Sequence, residues 1–411
     1  MAPVNIGDTV TVAIEKPAVG GAMIARVEGQ VVLVSGAIPG ERVRVRVARI
    51  GKGVAHADTV AVEDASADRR DVSADPSCGG ALYAHIAYPR QLRLKSEVVA
   101  DAFARIARLP LGAAVGVAPS PEEGYRMRAR LHARGARLGF FREGTHDLCD
   151  PRRTRQLLPA TCDALDRVSG LLASARLDGV HEAELAENVD ASERVLHLES
   201  AAPLDRRLEQ RLAAVEGFTP GPYVADALTI EGRSLRLRRH VLAFFQGNRY
   251  LLAALVRHVV GQVPRATPLI DLYAGAGLFS IAAAALRGAA VTAVEGDRIA
   301  ARDLEENAAA SGAPVTPVAM AVEDFVRGRD RGSRAPTTIV DPPRTGLSRA
   351  ALDGVLALEP DRLIYVSCDV ATLARDARRI IDGGYAIESI DGFDLFPNTP
   401  HVETVVVFAR R

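Results

Sequence analysis

From about Phe244 onward the chain alternates short apolar runs with amphipathic stretches, and this rhythm limits its fold more than any single residue. The runs are Pro268–Leu272, Ala290–Glu295, Thr337–Val340 and Arg362–Val366. Helical spacing follows each of them, over Gly277–Leu286, Asp297–Ser311, Arg349–Leu358 and Val370–Asp382. Strands buried on both faces read as continuous apolar runs, and intervening helices make them pair in parallel. The expected fold class is α/β, a doubly wound, Rossmann-like sheet that collects ligands at the carboxyl ends of its strands. Two last strands, Ala386–Ile390 and Thr404–Ala409, are expected to pair antiparallel on its edge.

The N-terminal part reads differently. Thr9–Ile14, Gln30–Val34 and Arg42–Val47 have period-two patterning between Gly and Pro turns, the pattern of a small OB-like β-barrel. Arg42, Arg44 and Arg46 line one of its faces, with Val43, Val45 and Val47 packed inward. Acid-rich Val62–Asp68 reads as a linker and Ala81–Leu109 as largely helical. Residues 125–240 suggest an α+β unit, with strands Arg126–Arg134 and Arg137–Phe141, a helix Ala164–Ala175, and further strands from Val195 to Arg238. A chain of 411 residues exceeds one ordinary core, so three units are expected, 1–65, 66–240 and 241–411.

No apolar stretch of about 18 residues exists to span a membrane, and the N-terminus lacks a signal peptide's regions, so a cytoplasmic location is expected. Four cysteines (Cys78, Cys149, Cys162, Cys368) lie scattered without a Cys-x-x-Cys pair, which argues against a metal site or a disulfide framework. Net charge is zero, yet nine arginines (126, 128, 130, 134, 137, 142, 152, 153, 155) face three acids between Tyr125 and Gln156. That density fits either a phosphate-binding face or an ordinary solvated strand face. Nothing in the sequence calls for an obligate protein partner.

The loop Asp271-Leu-Tyr-Ala-Gly275-Ala-Gly277 leads a buried strand into a helix, where glycines admit close backbone approach to a ligand. Twenty residues past Gly275, Glu295 ends the next strand, placed to accept ribose hydroxyls. A pyrophosphate cofactor prefers a third glycine where Ser280 stands, and Asp271 at the loop entrance suits a sulfonium or amino group better than phosphates. S-adenosylmethionine therefore fits this loop better than NAD.

Two further strand ends carry chemistry. Asp341-Pro-Pro-Arg344 stiffens a loop that holds an acid and a cation at the sheet edge. Ile364-Tyr-Val-Ser-Cys368-Asp opens a helix with a thiol, and the helix start is expected to favour the thiolate. The C5 carbon of uracil is a poor nucleophile. A thiolate adding to C6 makes C5 an enolate carbon able to accept a methyl group, after which a base must take the C5 proton. Glu403, expected to face the same way as His401 and opposite Val402, is the candidate base; alone it would read as an exposed strand-end acid.

With these residues in place the sequence resembles the RNA uracil-5 methyltransferase family, and within it the members that carry a TRAM barrel and act on 23S ribosomal RNA. The resemblance runs through Gly124-Tyr-Arg-Met-Arg-Ala-Arg130, Phe245-Gln246-x-Asn248, Asp271-Leu-Tyr-Ala-Gly275, Val294-Glu-Gly296, Asp341-Pro-Pro-Arg344, Tyr365–Asp376 and His401-x-Glu403. It implies S-adenosylmethionine held by Gln246, Tyr273, Gly275, Gly277, Glu295 and Asp341, with Cys368 as nucleophile and Glu403 as base. It also implies RNA gripped by the barrel and the central unit, ribosomal RNA in preference to transfer RNA. In such relatives the region 90–122 packs on the catalytic unit.

The departures matter as well. Relatives active on ribosomal RNA often carry an iron–sulfur cluster on four cysteines. Here Val72, Ala81 and Thr154 stand where ligands would be and only Cys78 remains, so no cluster is expected. Leu278 and Ala321 replace polar residues that some relatives turn toward the donor. Two other classes compete. An amino-group N-methyltransferase would use Asp341-Pro-Pro but normally has an aromatic residue where Arg344 stands, and a non-catalytic RNA-binding protein would leave Cys368 without a role.

Overall fold

The computed structural model describes residues 4–72, 77–175, 179–201, 203–204, 206–328 and 336–411. Its largest sheet has eight strands, in the order Val315–Ala319, Val291–Glu295, Leu269–Leu272, Thr337–Val340, Arg362–Ser367, Glu403–Arg410, Tyr385–Phe393, Gly116–Ala118. The first five run parallel, and Glu403–Arg410 lies antiparallel between Arg362–Ser367 and Tyr385–Phe393. Every residue of Leu269–Leu272 and Thr337–Val340 is buried, because helices cover both faces. One apolar layer forms under Leu252–Gly261 and Leu278–Arg287, the other under Arg349–Ala357, Val370–Asp382 and Tyr88–Arg105.

Two strands escaped the sequence reading. Val315–Ala319 contains Pro317, tolerated because it lies on the open edge, and Gly116–Ala118 is too short to show periodicity. The latter pairs with Asp391–Phe393, so residues 88–118 complete the C-terminal sheet from far away in sequence. The expected Ala81–Leu109 helix is confined to Tyr88–Arg105. Pro89 sits in its first turn, and Ala81–Ala87 form turns instead.

The N-terminal six strands close around Val12, Val32, Val34, Val43, Val45 and Val47. Burial alternates along Arg42–Val47 as the sequence suggests, arginines out and valines in. Val62–Asp64 of the expected linker continue the strand Val54–Asp64. In the middle of the chain a five-stranded sheet joins Arg128–Arg134 to Val180–Glu187, and Tyr223–Ile230 with Arg233–His240 make a separate hairpin. That hairpin docks on the helix Arg298–Ser311, where Asn307 Oδ1 accepts from Arg238 N (2.8 Å) and Asp303 accepts from His240 N (2.7 Å).

Much of the arginine density is neutralised locally: Arg130 with Glu182 and Glu184, Arg134 with Asp147, Arg152 with Asp163 and Asp166, Arg155 with Glu123. Deeper in, the fully buried carboxylate of Glu187 pairs with both Arg194 and Arg249, tying this unit to the loop that carries Gln246. Two cysteines read as unpaired are joined, Cys78 to Cys149, over a separation of 71 residues that leaves no sequence signal. Cys78 reaches its partner by bridging to Arg142, and Cys162 lies in the same apolar cluster. Residues 73–76 of the Val72–Ala81 stretch lie outside the described residues.

Gly354 is where Arg349–Ala357 crosses Val322–Arg327, and a Cβ there would fall 2.1 Å from Val326 Cγ2. The better helix propensity of alanine, about 1 kcal/mol, is outweighed by this overlap. Gly354→Ala is expected to lower stability by roughly 1–3 kcal/mol, measured by urea denaturation.

Candidate active site

Register aligns the strand ends. Leu272 pairs with Val294 on one side and Val340 on the other, and Val340 pairs with Tyr365. The chain therefore leaves the sheet at Tyr273, Glu295, Asp341 and Cys368 along one edge. The first of these exits is a turn with positive φ at Tyr273 (62°), Gly275 (56°) and Gly277 (93°). A Cβ on Gly277 would lie 2.8 Å from Leu304 Cδ1, so glycine is required there.

Three carboxylates surround this turn. Glu295 accepts from Gly275 N (2.8 Å) and Asp297 N (2.7 Å), which fixes the loop and leaves lone pairs for a ligand. Asp341 accepts from Gln246 Nε2 (3.2 Å). Asp271 is fully buried, takes Ser280 Oγ at 2.5 Å on one oxygen, and has no partner for the other among the described residues. Burial, and then the neighbouring carboxylates, push both Asp271 and Asp341 up to about 7, while Ser280 and Gln246 pull the other way. Buried acids held by neutral donors, with one orphaned oxygen, call for a cationic ligand. The sulfonium and ammonium groups of S-adenosylmethionine fit that demand. Leu278, flagged as a departure, lies in the apolar core, and Ala321 precedes the helix Val322–Arg327 beside Gly296.

The reacting groups meet through the antiparallel pair. Ser367, just before Cys368, lies opposite Thr404, just after Glu403, so the strand pair brings Cys368 and Glu403 to the same end of the ladder. Glu403 is 2% exposed, whereas Cys368 is half-buried. Burial and then Asp341 drive the Glu403 carboxyl well above the usual carboxylate range, and Arg344 opposes them. Burial, then Glu403 and Asp341, push the Cys368 thiol up to about 12, with the charge of Arg344 pulling down.

This corrects the expectation that the helix start favours the thiolate. The side chain of Asp369 already caps that helix, accepting from Thr372 N at 2.8 Å, and two carboxylates face the sulfur. His401 lies just before the strand that begins at Glu403, exposed and edge-on to Phe396 (6.1 Å).

Sequence reasoning located Arg344 without its charge effect on the thiol, and it missed Phe244. That ring is 58% exposed, two residues before Gln246, with the Arg128 guanidinium 5.8 Å from its centre. The backbone of Arg344 is itself held: Thr372 Oγ1 donates to its carbonyl, and Asp376 accepts from Leu347 N and Tyr365 OH.

Cys368 alkylation by iodoacetamide reads these electrostatics directly. The rate is expected to climb through pH 10 without a plateau. Glu403→Gln raises it at pH 8 and Arg344→Met lowers it, about tenfold for each unit moved. A plateau near pH 7 would contradict the balance of charges described.

Comparison with known proteins identifies the family. The family model for tRNA (uracil-5-)-methyltransferases matches residues 206–411, and the TRAM domain model matches residues 3–60. An uncharacterized RNA methyltransferase of Corynebacterium glutamicum is 32% identical, over 98% of this chain and 97% of its own length. The 23S rRNA (uracil(1939)-C(5))-methyltransferase RlmD of Acidithiobacillus ferrooxidans is 30% identical over 99% of both. Among solved structures, the tRNA (uracil-54, C5)-methyltransferase of Pyrococcus abyssi, in complex with S-adenosyl-L-homocysteine, superposes with a TM-score of 0.76 at 23% identity, covering 97% of this chain and 99% of that one. The chain thus belongs to the S-adenosylmethionine-dependent RNA (uracil-5-)-methyltransferase family and carries a TRAM domain at its N-terminal end.

Proposed function

We propose that this enzyme methylates C5 of a specific uridine in ribosomal RNA through a covalent bond between Cys368 Sγ and C6, with Glu403 removing the C5 proton. The observation that carries the reading is the strand pair that ends at Ser367 and Thr404, which brings Cys368 and Glu403 to one end of the ladder with the Arg344 charge acting on the thiol. Gln246, Tyr273, Gly275, Gly277, Glu295 and Asp341 hold the donor, which supplies an electrophilic methyl group. Arg344 stabilises the thiolate of Cys368 for its attack on C6. Glu403, poised high by burial, then takes the proton from C5 as the C6–S bond breaks and the C5–C6 double bond returns.

Labour divides along the chain in this reading. Residues 1–65 and 66–240 grip RNA, while 241–411 carries the chemistry. Phe244 offers an exposed aromatic face beside the donor loop, suited to stacking on a base. Ribosomal RNA is favoured by the TRAM domain and by the Acidithiobacillus relative, alike over nearly its whole length. Transfer RNA is the second reading, because the Pyrococcus abyssi enzyme named for it shares the fold end to end.

Glu403→Gln is expected to accumulate an RNA–protein adduct that survives a denaturing gel. Cys368→Ala loses methylation by at least about 10³-fold and forms no adduct. Undiminished methylation by Cys368→Ala would refute the mechanism. Mapping C5 methylation in ribosomal and transfer RNA from cells lacking the gene identifies the substrate, with loss at one ribosomal uridine expected.

A further inference from the structure

The approach to Glu403 is held in an unusual way. Residues 394–400 lead from the strand Tyr385–Phe393 toward Glu403, and most of their side-chain anchors come from the N-terminal part of the chain. Lys95, on the helix Tyr88–Arg105, donates to the Asp394 carboxylate and to Phe396 O (3.1 Å), and both charged side chains are fully buried. Gln91, one turn earlier, exchanges two bonds with Asn398: Nε2 to Oδ1 and the Asn398 backbone N to Oε1, each 2.9 Å. Arg70 Nη2 adds a third bond to Asn398 Oδ1 (2.9 Å), and Tyr83 N donates to Asn398 O (2.8 Å). Asn398 itself sits at φ 63°, a conformation asparagine tolerates better than most residues. Beyond it, Pro400 lies against Gly21 of the N-terminal barrel, where an added Cβ would fall 2.8 Å from its Cγ.

A fully buried ion pair is weak evidence for stability, since apolar residues of similar volume often do as well. What Lys95–Asp394 and Gln91–Asn398 do supply is geometry, because they fix a backbone segment that ends three residues before the base. Glu403 must meet a C5 proton within about 2.6–3.2 Å, a tolerance that a loosely held approach would not meet.

We infer that residues 394–400 form a positioning strap, with Lys95 and Asn398 as positioning residues, through which the N-terminal part of the chain holds Glu403 in place for proton removal. This rests on the proposed role of Glu403.

Two variants test it. Lys95→Met combined with Asp394→Asn removes both charges without stranding either, and Asn398→Gly keeps the positive φ while deleting the side-chain bonds. Each is compared with wild type and Glu403→Gln on an RNA transcript carrying 5-tritiated uridine, reading tritium release, adduct on a denaturing gel and S-adenosylhomocysteine affinity by calorimetry. Tritium release is expected to fall about 10- to 100-fold, with methylated adduct accumulating and ligand affinity unchanged within about twofold. Wild-type release, or slowing without adduct while Glu403→Gln does form it, would overturn the strap alone. Normal release by Glu403→Gln would overturn the base assignment and the strap with it. Should one variant fail to fold, as judged by circular dichroism, the other decides.

Discussion

The antiparallel contact between Arg362–Ser367 and Glu403–Arg410 is the constraint on which the rest of the molecule depends. A parallel sheet delivers all its strand ends to one edge, but each of those ends points outward from the same direction of travel. Reversing one strand brings the beginning of a strand to that edge, and so brings the carboxylate of Glu403 to the same end of the sheet as the thiol. The pairing also creates an electrostatic problem. Burial, and then Glu403 and Asp341, raise the thiol toward about 12, and the main counterweight is Arg344 on the rigid Pro342-Pro343 loop. Reactivity therefore depends on how well that loop and the Glu403 approach are held.

The same logic shapes the donor side. Asp271, Asp341 and Glu295 are packed with neutral partners, and burial pushes Asp271 and Asp341 up to about 7. A cation bound beside them favours their charged forms, whereas burial alone favours the neutral ones. The buried Glu187–Arg249 pair extends this control into the middle of the chain, since Arg249 lies three residues beyond Gln246.

The catalytic sheet was legible because burial on both faces writes itself as unbroken apolar runs, and Thr337–Val340 and Val370–Asp382 fell on their expected boundaries. Gly116–Ala118 and Val315–Ala319 were not, being a three-residue strand and an edge strand with proline. Site residues came from strand-end motifs, which locate a side chain but not its electrostatic surroundings. That is why the thiol was read as activated by its helix, while the structure surrounds it with carboxylates and gives the cap to Asp369. The Cys78–Cys149 bond, the buried Lys95–Asp394 pair and the strap contacts join residues 71 to more than 300 positions apart, a distance at which no local pattern survives.

RNA bearing 5-fluorouridine at the target position gives the most direct trial of covalent catalysis at Cys368. Fluorine at C5 leaves no proton for a base to remove, so the native enzyme should stall after methyl transfer. Mass spectrometry of the digested complex is expected to find the methylated, fluorinated nucleotide on the peptide containing Cys368. Attachment at another residue, or turnover with no trapped species, would contradict the account.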